Sequence, residues 1–304
     1  MPLAARLFRI YWSFKNVETM ERVRIGSERV DLRLTLMDSA QCFAWVERED
    51  CFGAVIAGQP VWLGADAEGV FAEGGSAALL RDYLDLDRDY GRIAREYAAI
   101  PAARRAMEAC PGLRVLNQPA WDALVSFILS ANNNVGRIRR LWHALAENLG
   151  EGCETSRGTL WALPSPGRLA KCSEAELRAM GTGYRARYLI ETARRVADGF
   201  PLEQLRNMDC AEAHARLLEL PGVGDKVADC VLLFGCRQPS AFPVDVWVDK
   251  LLRSWFGVES KSRRAMMEEA RRRFGPHGGI LQQFLFHAAR TGEISLDDGE
   301  QATG

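Results

Sequence analysis

The period of the hydrophobic pattern changes near residue 100, and this change constrains the fold more than any other feature of the sequence. Before it, apolar and polar residues alternate in short segments such as "VDLRLTL" (30–36), which is typical of half-buried strands. After it, apolar residues recur three and four positions apart, as in residues 135–149, which is typical of amphipathic helices. The sequence therefore predicts an α+β chain, with an antiparallel sheet domain (25–100) before a mainly α-helical domain (101–292).

Four further segments of the first hundred residues are expected to form short strands, because Gly, Asp and Pro separate them: "CFAWVE" (42–47), "CFGAVIAG" (51–58), "PVWLG" (60–64) and "GVFAEG" (69–74). We expect this sheet to be covered on one face only. Two helices, near residues 75–84 and 88–99, are expected to close it. Residues 1–24 are predicted to be an N-terminal extension and residues 293–304 a disordered tail.

Local signals place several helix boundaries in the second domain. Pro119 suits the first turn of one helix, and the three asparagines at 132–134 end that helix. The segment "SEAE" (173–176) has the spacing of a capping box, and Asp245 suits an N-cap position. A final helix is predicted over residues 280–290.

The composition gives no sign of membrane insertion or of a disulfide framework. No run approaches the roughly 18 uncharged apolar residues of a membrane span, and the N-terminus lacks the cleavage site of a secretion signal. The eight cysteines include no Cys-x-x-Cys pair, and the four histidines do not fall at zinc-ligand spacing with them. We therefore expect a cytoplasmic protein with reduced cysteines and no membrane association.

Charge is distributed unevenly, although the net charge is only −1. Residues 1–100 carry 12 Lys/Arg and 16 Asp/Glu, whereas residues 101–292 carry 27 Lys/Arg and 20 Asp/Glu. Nucleic-acid binding depends on a local basic surface rather than on the total charge. The basic excess permits nucleic-acid binding by the helical domain, and a solvated surface of mixed charge explains the same counts equally well.

The stretch "ELPGVGDKVADC" (219–230) combines a tight turn with a lysine at the start of an apolar helix. Gly222 and Gly224 permit backbone conformations closed to other residues, and they leave the N–H groups of a helix N-terminus exposed for a phosphate. An apolar environment favours the neutral amine of Lys226, which can then act as a nucleophile. The alternatives are a packing turn between two helices and a lysine whose charged end reaches solvent.

Asp245 follows Lys226 by 19 residues. Eleven helical residues advance about 16 Å, and eight extended residues can span roughly 26 Å, so the chain can return and place the carboxylate beside the amine. An amine that forms a Schiff base and a carboxylate that stabilises positive charge suit an attack on a sugar C1′ carbon. An N-cap is the alternative role of Asp245, and spacing alone does not decide between the two.

The hairpin has an internal counterpart in "LRAMGTGYRARY" (177–188). There, Gly181 and Gly183 take the places of the two hairpin glycines, and Arg185 takes the place of the lysine. Both stretches are predicted to be helix–hairpin–helix units. Independent packing of two helix pairs explains the repeat as well as a shared function does.

These segments resemble a known family. "LPGVGDKVADC" together with "AFPVDVWV" (241–248) is similar to the helix-hairpin-helix and Gly/Pro/Asp signature of base-excision DNA glycosylases. Four more segments resemble, more narrowly, the 8-oxoguanine DNA glycosylase/AP lyase family, in that family's order from about residue 25 to residue 290: "AQCFAW", "SFILSANNNVGRI", "GTGYRARY" and "GPHGGILQQFLF". The chain looks like a bacterial-type member.

The resemblance implies a TBP-like antiparallel sheet domain, a helical body and a bifunctional enzyme. Such an enzyme flips 8-oxoguanine opposite cytosine out of the duplex, excises it and nicks the strand by β-elimination. Lys226 would be the nucleophile on C1′ and Asp245 its acidic partner. The flipped base would lie between Cys230 and Phe286, and Gln282 would read its Watson–Crick edge.

The resemblance also assigns contacts with the DNA around the lesion. Asn132, Arg137 and Arg185 would engage the cytosine left behind, since arginine and asparagine suit hydrogen bonds to base edges. Tyr184 would wedge into the base stack, and the two glycines of the 219–230 stretch would bind a phosphate. The expected partner is double-stranded DNA with an oxidised purine, bound by a monomer that is associated with the nucleoid if the chain is bacterial.

The carbonyl groups of Leu218, Leu220 and Val223 would hold a structural cation, again by resemblance. No catalytic metal or other cofactor is expected. An iron–sulfur cluster is not expected either, because no cysteine follows Cys236.

Two positions depart from the family pattern. Many members have glycine where this chain has Ala40, in a loop whose backbone carbonyl senses the proton on N7 of 8-oxoguanine. Alanine keeps that carbonyl but has less freedom at positive φ. Animal members carry histidine where this chain has Trp247, which changes the side chain available for a phosphate or catalytic-site contact.

Two alternative functions remain open at this stage. A glycosylase/lyase for another oxidised base would keep Lys226 and prefer a different lesion. A non-catalytic helix-hairpin-helix protein would bind DNA and would need neither Lys226 nor Asp245. In that case Cys230 and Phe286 would be ordinary core residues.

Overall fold

The computed structural model describes residues 21–260 and 262–295. Most of the predicted N-terminal extension (1–24) and of the predicted tail (293–304) therefore lies outside the described residues. Within the described ranges, no helix is long and apolar enough to cross a membrane.

The N-terminal part is a five-stranded antiparallel sheet, which confirms the predicted architecture. Its strands are β1 (Arg22–Gly26), β2 (Val46–Arg48), β3 (Cys51–Ile56), β4 (Gln59–Asp66) and β5 (Gly69–Glu73), in the order β1-β5-β4-β3-β2. Ala57 and Gly58 form the two-residue turn between β3 and β4, and both have positive φ (49° and 77°), as such a turn requires. Strand β1 was not predicted, and it brings residues 22–24 of the expected extension into the sheet.

The strand predicted at residues 30–36 is wrong, because this segment is helical. Residues Leu34–Asp38 form a short π-helix, and the Asp31 carboxylate accepts a hydrogen bond from the Leu34 N–H (2.8 Å) at its start. The buried side chains of the segment follow the helical spacing of three and four: Leu32, Thr35, Leu36 and Ser39. The alternating pattern thus coincided with an equally good helical pattern, and the Asp31 cap favours the helix.

The sheet is covered on both faces rather than on one. One face packs against helix α1 (Ala77–Tyr83). On the other face, Trp62 is fully buried against a small hairpin of β6 (Gly152–Cys153) and β7 (Leu160–Trp161). The Trp62 Nε1 donates to the Thr155 hydroxyl (3.0 Å) inside the same hairpin. The helical domain therefore supplies the second cover of the sheet.

The rest of the described chain is mainly helical, as predicted. The helices are α2 (Tyr90–Glu96), α3 (Pro101–Ala109), α4 (Ala120–Ser130), α5 (Val135–Leu149), α6 (Pro166–Leu169), α7 (Glu174–Ala179), α8 (Arg185–Ala197), α9 (Cys210–Leu217), α10 (Asp225–Gly235), α11 (Val246–Phe256), α12 (Arg263–Phe274) and α13 (Gly278–Thr291). Pro119 directly precedes α4, and Ser173 and Glu176 form a reciprocal capping box at α7. Asp245 caps α11. These three predicted boundaries are confirmed.

The first residues of the predicted disordered tail belong to the folded body. Ile294 is buried, and its N–H donates to the Ala288 carbonyl (3.2 Å). The Ser295 carbonyl accepts a hydrogen bond from the Trp255 Nε1 (3.0 Å). Residues 293–295 thus continue the packing of α13 against α11.

Helix α10 packs antiparallel against α4 at the centre of the helical domain. The rings of Phe127 and Phe234 stack with their centroids 5.4 Å apart. Gly235 allows the close approach, because a Cβ there would lie 2.9 Å from the Cβ of Ala123. This packing brings the end of α4, at Ser130, to the start of α10.

Gly279 lies at the start of α13, where a side chain has no room. Its N–H donates to the Pro239 carbonyl (2.8 Å), and an added Cβ would lie 2.1 Å from the Ala241 carbonyl oxygen. We expect Gly279→Ala to lower the free energy of unfolding by about 2–3 kcal/mol, the upper range of overpacking effects, in urea denaturation.

Gly167→Ala is the matched control, because an added Cβ in this position of α6 would meet nothing within 4 Å. It should leave the free energy of unfolding unchanged or raise it by up to about 1 kcal/mol through helix propensity. Equal losses in the two variants would contradict the tight contact at Gly279.

Candidate active site

A cavity of about 990 Å³ opens where the sheet domain meets the helical domain. Its walls come from the residues after the π-helix, from the turn between α4 and α5, and from the starts of α10, α11 and α12 together with α13. The residues that line the cavity include Ala40, Phe127, Ser130, Asn132, Gly222, Gly224, Lys226, Asp245, Trp247, Arg263, Phe286 and Arg290. Several predicted site residues from distant parts of the sequence thus share one cavity.

Lys226 is the second residue of α10 and lines this cavity. Its Nζ donates to the Ser130 hydroxyl (3.2 Å) and lies 5.0 Å from the centre of the Phe127 ring. Both neighbours belong to α4, so the packing of α4 on α10 determines where the amine lies. The amine is held by a hydroxyl group and an aromatic face.

Asp245 lines the same cavity from the start of α11. Its Oδ1 accepts hydrogen bonds from the N–H groups of Trp247 (3.0 Å) and Val248 (2.9 Å). Among the described residues, no group donates to its Oδ2. One oxygen therefore caps the helix, and the other is available for a second role. The cap and the site role, which the sequence left as alternatives, are compatible in geometry.

Cys230 lies one turn after Lys226 on α10 and is 3% exposed. Burial raises the pKa of its thiol to about 11, while the charge of Lys226 acts in the opposite direction and that of Asp245 in the same direction. Cys230 is therefore a neutral thiol at neutral pH, close enough to Lys226 and Asp245 to feel both charges. It is not part of the cavity wall.

The two glycines before α10 have different roles. We call residues 218–224 the second hairpin. Gly222 has a φ of 79°, and a Cβ there would lie 2.6 Å from the Cβ of Tyr188, so only glycine fits. Gly224 has a φ of −102° and open space around it. Gly222 thus uses the conformational freedom that glycine permits, whereas Gly224 adopts a φ open to other residues.

Residues 180–184, which we call the first hairpin, connect α7 to α8 as the second hairpin connects α9 to α10, although the glycine conformations differ. Gly181 and Gly183 both have positive φ (91° and 61°). Helix α8 also supports the second hairpin, since Thr192 donates to the Pro221 carbonyl (2.8 Å) and Arg195 to the Glu219 carbonyl (3.1 Å). The predicted pair of helix–hairpin–helix units is therefore present, and the units are in direct contact.

The residues predicted to face the opposite cytosine lie together at the first hairpin and the turn before α5. Asn132 is exposed with a φ of 48°, and the exposed Arg137 donates to the Gly181 carbonyl (3.2 Å). Tyr184 is 48% exposed, and its hydroxyl donates to the Ala131 carbonyl (3.1 Å). This geometry leaves Asn132, Arg137 and Tyr184 open to a ligand.

Arg185 differs from these three residues, because it is only 3% exposed. Its guanidinium donates to the carbonyl groups of Ala131 and Asn132, the latter at 2.8 Å, and it lies 4.6 Å from the centre of the Tyr184 ring. In this structure Arg185 therefore holds the backbone of the turn rather than presenting its own donors.

The remaining predicted base-pocket residues come from the sheet domain and α13. Ala40 lines the cavity with a φ of 59°, so alanine adopts the left-handed conformation here. Phe286 also lines the cavity, while Gln282, one turn earlier on α13, is 4% exposed and lies behind the wall. The Gln282 Oε1 is buried and has no hydrogen-bond partner in the described part of the chain.

Two family models match the chain. The model of the 8-oxoguanine DNA glycosylase N-terminal domain covers residues 22–124. The model of the HhH-GPD superfamily of base excision DNA repair proteins covers residues 125–276. The chain belongs to the HhH-GPD superfamily. The family recognised in the sequence is thereby confirmed.

Two relatives are enzymes of one class. A probable N-glycosylase/DNA lyase of Methanothermobacter thermautotrophicus is 36% identical over 225 residues, which is 65% of this chain and 70% of the relative. The N-glycosylase/DNA lyase of Arabidopsis thaliana is 34% identical over 242 residues, which is 74% of this chain and 61% of the relative. The expectation of an enzyme of the N-glycosylase and lyase class is confirmed.

A solved structure extends the similarity over nearly the whole chain. The Clostridium acetobutylicum 8-oxoguanine glycosylase/lyase, in complex with dsDNA containing cytosine opposite 8-oxoG, superposes with a TM-score of 0.84 at 31% identity. The match covers 91% of this chain and 97% of the other. The predicted order of an antiparallel sheet domain and a helical HhH-GPD body is the order of that structure.

Sequence reasoning missed several residues of this HhH-GPD cavity. Ser130 and Phe127, which hold Lys226, belong to the recognised stretch "SFILSANNNVGRI" but gave no signal of their own. Arg263 and Arg290 add positive charge to the wall. Arg263 lies in a stretch rich in charged residues, where only the fold distinguishes a cavity arginine from a surface one. Arg290 is the single Lys, Arg, Asp or Glu of α13, near the end of that helix, and belongs to no recognised motif.

The two oxygens of Asp245 allow its cap to be separated from its chemistry. Asparagine caps a helix as well as aspartate does, whereas alanine does not. We expect Asp245→Asn to keep the free energy of unfolding within about 0.5 kcal/mol of the parent, and Asp245→Ala to lose about 1–2 kcal/mol, in urea denaturation.

Both Asp245 variants should nevertheless lose glycosylase activity, because both lack the carboxylate. Asp245→Asn is the control for folding, because it should lose activity while its free energy of unfolding stays close to that of the parent. Substantial activity in Asp245→Asn would show that the cap is the whole contribution of this residue.

Proposed function

We propose that this HhH-GPD enzyme excises 8-oxoguanine opposite cytosine from duplex DNA and then cleaves the strand at the resulting site. One observation carries the proposal, namely that Lys226, Asp245 and Ala40 line a single cavity. The cavity, of about 990 Å³, is large enough for a nucleotide that has been flipped out of the stack. The N-terminal family match and the Clostridium structure support the choice of 8-oxoguanine.

The chemistry follows from one amine, which attacks in its neutral form, and one carboxylate. The Lys226 Nζ attacks C1′ of the flipped nucleotide, the C1′–N9 bond breaks, and its electron pair leaves with the base, which takes up a proton. The free Oδ2 of Asp245 stabilises the positive charge that develops on the sugar. Loss of a proton from the amine and opening of the sugar ring give a Schiff base. Removal of a C2′ proton then breaks the C3′–O bond, and water releases the enzyme.

Lesion recognition is proposed to use Ala40, Gln282 and Phe286 together with Cys230 of α10. Phe286 stacks on one face of the flipped base. Cys230, a neutral thiol that is buried behind the cavity wall in the free enzyme, is proposed to reach the other face when the base enters. The unpartnered Gln282 Oε1 is an acceptor for the Watson–Crick edge of the base. The Ala40 carbonyl accepts the hydrogen that 8-oxoguanine carries on N7 and guanine lacks.

The DNA around the lesion is proposed to contact both hairpins. The second hairpin exposes N–H groups at the start of α10, where the helix dipole favours a phosphate next to Gly222 and Gly224. Asn132 and Arg137 donate to the unpaired cytosine, and Tyr184 fills the gap in the stack. Arg185 supports Asn132 through its carbonyl in the free enzyme.

A cation at the second hairpin is part of the proposal as well. Leu218 is the C-cap residue of α9, where helix carbonyl groups lack intrahelical partners and carry partial negative charge. The Leu220 carbonyl accepts one hydrogen bond, from the Val223 N–H (3.1 Å), which leaves one lone pair for a ligand. Neutral oxygens of Leu218, Leu220 and Val223 therefore fit a cation, which would add positive charge near the bound phosphate.

Schiff-base trapping tests the proposed nucleophile. On an 8-oxoguanine:C duplex with borohydride, the parent enzyme should form a covalent protein–DNA complex, and Lys226→Gln should form none, because reduction traps an imine that needs this amine. The measurement is the fraction of labelled DNA shifted in a denaturing gel.

Lys250→Gln on α11 is the control for trapping, since it removes a lysine that lies 5.9 Å from the Trp247 ring rather than against α4. It should trap DNA as the parent does. Failure of the parent to trap, or trapping by Lys226→Gln, would overturn the proposed mechanism. Trapping on a different oxidised base alone would favour the other glycosylase/lyase, and binding without base release would favour a non-catalytic protein.

The choice of the opposite base is tested at Arg137. We expect Arg137→Ala to reduce the ratio of excision opposite cytosine to excision opposite adenine by about tenfold, because one base-edge contact contributes on the order of 1–3 kcal/mol. Single-turnover rates on the two duplexes give this ratio.

Arg140→Ala, an exposed arginine on the same helix, is the matched control and should leave the ratio unchanged. An unchanged ratio in Arg137→Ala would remove this residue from recognition of the opposite base.

A further inference from the structure

Three consecutive backbone carbonyl groups, those of residues 37–39, each accept a hydrogen bond from a side chain of the helical domain. The donors are Arg139 of α5 for Met37 (2.5 Å), Arg290 of α13 for Asp38, and Gln283 of α13 for Ser39 (2.8 Å). We call these three side chains the carbonyl clamp. The next carbonyl along the chain, that of Ala40, accepts no hydrogen bond from any described residue.

The residues on either side of Ala40 are fixed as well. Ser39 and Gln41 are fully buried. The Ser39 hydroxyl donates to the Thr35 carbonyl (2.9 Å), and the Gln41 Oε1 accepts from the Leu116 N–H (2.8 Å). Ala40 is therefore a single cavity-lining residue between two residues that cannot move freely.

The left-handed conformation of Ala40 makes this fixation necessary. An L-residue with a φ near the observed 59° is less stable by about 1–2 kcal/mol than in its preferred regions. Such a conformation persists only where the surrounding contacts determine it. Glycine would adopt it without strain, whereas alanine needs neighbours that hold it, and the carbonyl clamp provides them.

We propose that the carbonyl clamp sets the direction of the Ala40 carbonyl, and that Gln283 is a positioning residue for discrimination between 8-oxoguanine and guanine. The inference rests on the proposed function. 8-Oxoguanine presents an N–H donor at N7, whereas guanine presents a lone pair there. A carbonyl held in one direction attracts the first and repels the second, but a mobile carbonyl can turn away from guanine and loses this selectivity.

Gln283 is the member of the clamp that separates positioning from direct contact. It is 2% exposed and lies outside the cavity wall, whereas Arg290 lines the cavity and would also change its charge. Methionine has nearly the volume of glutamine and no donor, so Gln283→Met removes the hydrogen bond to Ser39 and keeps the packing.

Two activities measured on one preparation test the clamp. We expect Gln283→Met to reduce single-turnover excision of 8-oxoguanine about tenfold, while borohydride trapping at a preformed abasic site changes less than about twofold, because that site has no base to read. The ratio of the two does not depend on the folded fraction. Gln238→Met, which removes an amide donor from the Met208 carbonyl (2.9 Å) far from the cavity, should leave the ratio unchanged.

A double-mutant cycle between the enzyme and the lesion isolates the N7 contact. Duplexes with 8-oxoguanine and with its 7-deaza analogue, which has carbon in place of N7 and so lacks the N–H donor, are compared for binding to Lys226→Gln, which forms no Schiff base. Lys226→Gln alone should bind the 8-oxoguanine duplex about fivefold to tenfold more tightly than the 7-deaza duplex, which is the value of one hydrogen bond. With Gln283→Met added, the preference should fall to about twofold or less.

The possible results separate the two proposals. If Lys226→Gln prefers 8-oxoguanine and Gln283→Met keeps that full preference, the clamp inference is overturned and the proposed function stands. If Gln283→Met reduces excision and abasic-site trapping equally, the role of Gln283 is purely structural and the inference fails. If the parent enzyme releases no 8-oxoguanine, the proposed function fails first.

Discussion

The antiparallel packing of α4 on α10 is the contact on which the active site depends. Gly235 lets the two helices approach, and the stacked rings of Phe127 and Phe234 set their relative position. The same α4 then supplies Ser130 and the Phe127 ring to the Lys226 amine. A contact in the hydrophobic core thus determines where the Lys226 amine lies, and no carboxylate in the described part of the chain forms an ion pair with it.

The cavity lies between the two domains, and contacts between them determine its walls. The hairpin of the helical domain covers the second face of the sheet, where Thr155 accepts a hydrogen bond from Trp62 of β4. Side chains of α5 and α13 hold the backbone of residues 37–39. The sheet domain therefore contributes one short segment to the site, around Ala40. Its orientation relative to Lys226 is fixed by hydrogen bonds that cross between the domains.

The sequence predicted the elements that rest on local signals and missed those that depend on the fold. The cap at Asp245, the capping box at Ser173 and the break at residues 132–134 are local, and each is present. The segment at residues 30–36 satisfies both a strand and a helix pattern, so its periodicity cannot decide between them, and the Asp31 cap favours the helix. Gly224 is a similar case, because the presence of a glycine in the sequence does not show that its φ is an ordinary negative one.

Within the site, the sequence identified the residues that belong to recognised motifs, and the structure brings Lys226, Asp245, Ala40, Asn132 and Phe286 to one cavity. It could not identify the clamp. Arg139, Gln283 and Arg290 are ordinary helix residues by composition, and their partners are backbone carbonyl groups about 100 to 250 positions away. Contacts between a side chain and a remote backbone leave no pattern in a single sequence.

The support that α8 gives to the second hairpin has a mechanical consequence for the substrate. Thr192 and Arg195 tie that hairpin to the helix which begins beside Tyr184, and Tyr188 fills the space above Gly222. The separation between Tyr184 and Lys226 is therefore a fixed length of the enzyme. In the proposed complex the duplex contacts both residues, so the DNA rather than the protein changes shape, and the energy for that deformation is smallest where the stack is already weakened. Because the protein is rigid here, the free energy of binding depends on how easily the DNA deforms.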